Sequence, residues 1–168
     1  MKTFVMWVLI LWSMTASAQS FGIRLGHSLT PADYLSLRYE HWTNGTINFT
    51  LAGFAERSKN HSLNYANYGA DLQAEYASSR NSDALPLWGW RAGLGATWQI
   101  ENDPWVYKDL PGRSRMNYGA VCELSGECFI SDAFRLNAFI QQKLLFNTKL
   151  GSLRSCFGLG LTYLFPSL

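Results

Sequence analysis

Two dipeptides set an imidazole beside a group it could work with, His27-Ser28 and Glu40-His41. An enzyme acting on a membrane lipid such as lipid A would use a serine or histidine activated by a neighbouring base, with a carboxylate close by. Both dipeptides fall in segments that alternate like strands, and adjacent strand residues point to opposite faces. Neither therefore makes a nucleophile and base by itself, and partners would have to come from neighbouring strands. His61 stands in a polar run, 57–62, where solvation accounts for it. Cys122, Cys128 and Cys156 are an odd number at spacings that match no zinc pattern, so they form at most one internal disulfide and read as small buried residues. The stretch Gly89 to Gly95 is glycine-rich but lacks the lysine and following helix of a phosphate-binding loop, and close packing explains it better. No catalytic residue, metal set or cofactor site stands out, and the chain reads as a non-enzyme.

Two other groups of residues carry charge in a pattern. Arg24, Arg38, Arg91, Arg135 and Lys143 lie on the polar faces of alternating segments, opposed by Glu40, Glu56, Asp71, Glu75 and Glu123. Equal numbers of each sign can neutralise one another. Inside a narrow, poorly hydrated lumen an unpaired charge would be costly, so the set reads as a structural ion-pair network that plugs a closed sheet and leaves no open pore. The second group is Trp105 and Tyr107 beside Lys108, Arg113 and Arg115, in a long loop with Pro104 and Pro111-Gly112. Aromatics among cations on an exposed loop make a candidate interaction surface; a loop folded over a barrel mouth is the equal alternative.

The elements that must position these residues begin after an export signal. Lys2, an apolar run from Phe4 to Trp12 and Ala16-Ser17-Ala18 form a cleavable signal peptide, residues 1–18, cut between Ala18 and Gln19. Gln19 at the new end does not indicate a lipoprotein anchor. Residues 19–168 make one domain. Charged residues are 15% of the chain, against about 25% in ordinary globular proteins. Aromatics also reach 15%, with seven Trp and eight Tyr, so something other than water must face those rings. No later stretch is long and apolar enough for a spanning helix. The net charge of +2 gives no nucleic-acid footprint, and no direct nucleic-acid partner is expected.

From Phe21 onward the apolar residues recur with period two. Eight strands are predicted, near 20–29, 34–43, 46–56, 63–77, 87–100, 116–129, 133–145 and 153–165. The fifth is the clearest, with Trp88, Trp90, Ala92, Leu94, Ala96, Trp98 and Ile100 alternating with Gly89, Arg91, Gly93, Gly95, Thr97 and Gln99. Asn44-Gly45 predicts a tight hairpin, since both residues accept positive φ. Strands of this length can cross a bilayer, Trp and Tyr cluster near their ends, and short turns at Asn44-Gly45 and Ser131-Asp132 and a longer one at 77–86 lie opposite variable loops. An open sheet would leave unpaired backbone groups in lipid, so the strands must close. The prediction is an all-β fold, an eight-stranded antiparallel up-and-down transmembrane β-barrel in the outer membrane, with membrane lipid around it. A secreted soluble β-sandwich is the alternative, in which Asn44, Asn48 and Asn60 would be glycosylation acceptors in a eukaryotic context.

The end of the chain, Gly160-Leu161-Thr162-Tyr163-Leu164-Phe165, resembles the C-terminal signal by which outer-membrane barrels are recognised for assembly, through Gly160, Tyr163 and Phe165. It departs from that signal at Gly158, where a polar residue is expected, and in the extension Pro166-Ser167-Leu168. The likeness implies the barrel-assembly machinery as a partner. The stretch from Trp88 to Phe165 also resembles the conjugal-transfer TraO family of Bacteroidota mobile elements. The resemblance lies in Trp90-Arg91-Ala92-Gly93-Leu94-Gly95, Asn117-Tyr118-Gly119-Ala120, Ile130-Ser131-Asp132 and Gly158-Leu159-Gly160-Leu161. It implies an outer-membrane component of a conjugative DNA-transfer apparatus, with other proteins of that apparatus as partners. A general adhesion or envelope-integrity barrel is the second reading, and a lipid-A-modifying enzyme the third.

Overall fold

The computed structural model describes residues 20–43, 46–58, 65–78, 88–102 and 114–165. Eight strands run in chain order: β1 (Ser20–Ser28), β2 (Ala32–Trp42), β3 (Ile47–Arg57), β4 (Ala66–Ala77), β5 (Trp88–Asn102), β6 (Arg115–Phe129), β7 (Phe134–Phe146) and β8 (Leu153–Leu164). Each pairs antiparallel with the next and β8 returns to β1, so the sheet closes into a barrel. The predicted strands are all present, with ends displaced by at most a few residues. The signal segment and Asn44-Gly45 lie outside the described residues.

Period-two patterning becomes two surfaces. Along β2, Tyr34, Ser36, Arg38 and Glu40 are buried while Leu35 and Leu37 are exposed, and the same inversion holds on the other strands. The lumen holds the charges and the outside holds the hydrocarbon. Outward residues form an aliphatic belt, including Ile23, Leu37, Leu51, Leu72, Leu94, Leu136 and Leu161. Aromatics bound it at the end where β1 begins and β8 finishes, the termini end, where Tyr76 packs on Trp90 at 5.7 Å and Tyr163 meets Phe134 and Phe165 at 5.3 and 5.2 Å between centroids. At the opposite end Tyr118 packs on Phe146 at 5.9 Å. Such an exterior is stable in hydrocarbon and costly in water.

Following register partners around the barrel shows how the strands lean. Ser28 opposes Cys156, and the row continues through Gln141, Glu123, Gly93, Glu75 and Asn48 to Trp42 on β2. It returns to β1 about ten residues away from its start, the stagger that goes with a strand tilt of about 35–45°. Glycines allow the sharp curvature. A Cβ at Gly119 would lie 1.8 Å from the Leu144 carbonyl oxygen, so only glycine lets β6 and β7 approach this closely there.

The turns place the two ends. The end with the termini carries the turns between β2 and β3, β4 and β5, and β6 and β7; Ser131 Oγ closes the last of these by accepting from the Ala133 and Phe134 amides at 3.3 and 3.2 Å. At the opposite, far end, the β7–β8 turn uses Asn147 at φ 64° and Gly151 at φ 105°, both left-handed positions.

Candidate functional site: an ion-paired lumen

The lumen is filled in three tiers, each built by inward positions of several strands. The tier nearest the termini joins Arg24 of β1, Arg38 and Glu40 of β2, Glu75 of β4, Arg91 of β5, Glu123 and Glu127 of β6 and Arg135 of β7, all buried. Glu40 is its hub. It accepts from Arg38 Nε at 2.9 Å, Arg91 Nη1 at 2.9 Å, Arg135 Nη2 at 2.7 Å and Ser20 Oγ at 2.7 Å. Arg38 also donates to Glu75 and, at 3.0 Å, to Glu123, which accepts from Arg24 at 2.8 Å. Glu127 meets Arg91 at 2.7 Å and Arg135 at 3.2 Å. Most charges here have more than one partner, which is how a buried set offsets its desolvation.

The middle tier is aromatic. Tyr34 stacks on Phe54 and tilts against Phe139, each at 5.9 Å between centroids. Lys143 Nζ sits 3.1 Å from the Phe54 ring centroid and 3.0 Å from an Asp71 oxygen, so its charge is held by a carboxylate and a π face together. Arg24 lies over Phe139 at 4.7 Å. Gln141 bridges the tiers, donating to Asp71 at 3.2 Å and to Glu123 at 3.3 Å.

Among the described residues the far tier has one fully buried cation. Arg154 of β8 reaches Glu101 of β5 at 2.9 Å and Glu56 of β3 at 3.5 Å. Amides and hydroxyls supply the rest: Asn117 and Thr148 donate to Glu101 at 2.7 Å each, and Asn67 donates to Glu56 at 3.1 Å. The Lys149 amide also reaches Glu101, at 3.3 Å, so the β7–β8 turn is folded back onto this tier. Tyr65 closes the mouth from the β3–β4 side, with its hydroxyl on the Thr30 carbonyl at 3.1 Å. Burial pushes that hydroxyl above its ordinary pKa, so it stays a donor.

All ten predicted charges, Arg24, Arg38, Glu40, Glu56, Asp71, Glu75, Arg91, Glu123, Arg135 and Lys143, lie inside the barrel. Sequence reading missed Glu101, Glu127 and Arg154, which the strand parity of β5, β6 and β8 would have put on the same face. Arg115 needs correction: it is the first residue of β6, half-buried on the inward parity and opposite Glu101, rather than part of an exposed loop surface. Trp105, Tyr107, Lys108 and Arg113 lie outside the described residues. The cysteines are also corrected, since only Cys156 is buried, Cys122 faces outward and all three are free. Gly160 faces the lumen against Arg24 and Asn137, while Tyr163 and Phe165 face outward at the termini end. His27 and His41 face outward, and Ser28 and Glu40 inward, so the two dipeptides are split as strand geometry requires. Among the described residues no cluster of His, Cys, Asp and Glu could hold a metal ion.

No protein-family model matches the chain and no curated protein matches it in sequence. Solved structures do match in shape. The N-terminal β-barrel domain of Pseudomonas aeruginosa OprF superposes with a TM-score of 0.66 at 9% identity, over 89% of this chain and 98% of that one. The outer membrane protein OprG from Pseudomonas aeruginosa gives 0.60 at 12% identity, over 89% and 97%. Ail, the attachment invasion locus protein of Yersinia pestis, gives 0.57 at 13%, over 88% and 97%. At these identities the likeness is one of fold: this chain is an eight-stranded antiparallel barrel of the shape those proteins share.

Proposed function

We propose that the protein is an exported outer-membrane barrel that acts as a structural or interaction component rather than as an enzyme. The observation that carries this is the inverted barrel, with a charged, ion-paired lumen inside a belt of exposed aliphatic side chains between aromatic rims. The end where β1 begins and β8 finishes then faces the periplasm, and the far end, with the long connection between β5 and β6, faces outward. A lumen filled, among the described residues, by thirteen buried charged side chains serves as a rigid core for what the loops and outer wall present. The test is heat-modifiability: the detergent-folded protein, run unboiled on a denaturing gel, is expected to migrate differently from the boiled sample and to fractionate with the outer membrane. A soluble periplasmic protein with no mobility change would overturn the reading.

As its process we propose conjugal DNA transfer, supported by the resemblance of 88–165 to the TraO family. Deleting the gene from a conjugative element is expected to abolish transfer while leaving growth and detergent resistance intact. Unchanged transfer with altered adhesion or detergent sensitivity would instead favour a general adhesion or envelope-integrity barrel, the reading that the fold likeness to an attachment invasion protein favours. In either role the barrel would be delivered to the barrel-assembly machinery through Gly160, Tyr163 and Phe165.

A further inference from the structure

The far rim differs around the barrel. On β4, β5 and β6 the outward face carries Tyr68, Trp98 and Tyr118. On β1, β2 and β3 the corresponding positions are His27, Asp33 and Arg57, which form a row of direct partners: His27 opposes Asp33, and Asp33 opposes Arg57. Given the stagger of about ten residues, the two sets stand at about one height around the barrel. His27 Nδ1 lies 3.7 Å from an Asp33 oxygen, and the two side chains are 51% and 77% exposed. Rings at this depth sit among lipid headgroups. An imidazole, a carboxylate and a guanidinium in a row offer that layer hydrogen-bond donors and an acceptor.

An apolar groove begins at His27 and runs down the belt across β1, β7 and β8 to Ile23 and Leu161. It runs from Ile23 to His27 along β1, about 13 Å along the strand. Ala138 contributes only a methyl group to it, whereas the next outward residues along β7 are Leu136 and Ile140. The groove is apolar along its length and polar at its rim, the polarity of a single lipid molecule. A polypeptide at that depth would have to satisfy all of its backbone internally, and a hydrocarbon chain has no such need.

We infer that this groove and the His27–Asp33–Arg57 row bind one outer-leaflet phosphoglycolipid of the lipid A type. An acyl chain lies along Ala138, a phosphate meets Arg57 and His27, and a sugar hydroxyl donates to Asp33. Arg57 serves the phosphate through its fixed fork of donors, and His27 adds a hydrogen bond oriented by Asp33. This rests on the outer-membrane reading above.

The test is native mass spectrometry of the mature chain, extracted in detergent and supplied with purified lipid A or, separately, phosphatidylethanolamine. One retained lipid A per barrel is expected, with the dissociation constant from a lipid A titration raised about tenfold, equivalent to ~1.4 kcal/mol, in Ala138→Trp and in the double variant His27→Gln with Arg57→Gln. Leu94→Trp, on the opposite wall, should retain lipid A like the parent. Equal retention by all variants, equal retention of phosphatidylethanolamine, or a lipid-free dimer would overturn the inference. The heat-induced mobility shift, recorded on each sample, separates the two failures. Shift without selective retention removes only the lipid site, whereas loss of the shift in the parent removes the membrane reading and the site with it.

Discussion

The two ends of the lumen are charged on different plans. Near the termini, four arginines and four glutamates share partners so that Glu40 has three cations and Arg38 three carboxylates. At the far end Arg154 stands between Glu56 and Glu101, and neutral groups from Asn67, Asn117 and Thr148 fill the remaining positions. The first plan spreads risk over many pairs and the second concentrates it on one guanidinium. Rigidity is therefore expected to fall from the end where β1 begins and β8 finishes toward the far end, where a recognition surface would gain from adjustable parts.

Removing the hub should have the largest effect. Glu40→Ala leaves three arginines facing one another and is expected to cost about 3–5 kcal/mol in urea unfolding of the detergent-folded barrel. Arg154→Met should come next, at about 3 kcal/mol, because it strands two buried carboxylates together. Adding Glu101→Gln to it should recover part of the loss, and additive effects of the two changes would break the idea that one cation holds the far tier. Arg91→Met should cost less, about 1–2 kcal/mol, since Glu40 keeps Arg38 and Arg135 and Glu127 keeps Arg135. A loss as large as that of Arg154→Met would end the contrast between shared and concentrated charge. Smallest is Tyr65→Phe, which removes the bond to the Thr30 carbonyl at about 1 kcal/mol. It should speed amide exchange at the far end and leave the amides around Glu40 unchanged.

Much of this was legible in the chain, and the reason is period two. Once the side chains of β2 or β5 alternate, their faces are fixed, and the ten inward charges could be named before any pairing was known. Three more escaped for a physical reason. Glu101 belongs to β5 because Asn67 and Arg115 on the neighbouring strands extend the ladder past Ile100, where the local alternation stops. Arg154 precedes the clear alternation that begins at Phe157, and the faces of β6 are blurred by Gly119 and Gly126, which hid Glu127. The pairing itself was not readable. Arg24 and Glu123 are 99 residues apart and meet across the lumen, a distance set by the stagger and not by any local spacing. The polar row on the outer wall was unreadable for the same reason, since His27, Asp33 and Arg57 become neighbours only through register.

The closing ladder between β1 and β8 has a consequence for the order of assembly. It joins the first strand to the last, so it carries the largest loop-closure cost and is expected to form after the hairpins. Until it forms, the inner face of the sheet is an open trough, and Arg24 on the first strand and Glu123 on the sixth have no enclosed space in which to meet. A half-built barrel would present those charges to hydrocarbon. The final seam would then join the last backbone hydrogen bonds and hide the charges in one event, so folding in a membrane is expected to be an all-or-none step for this chain.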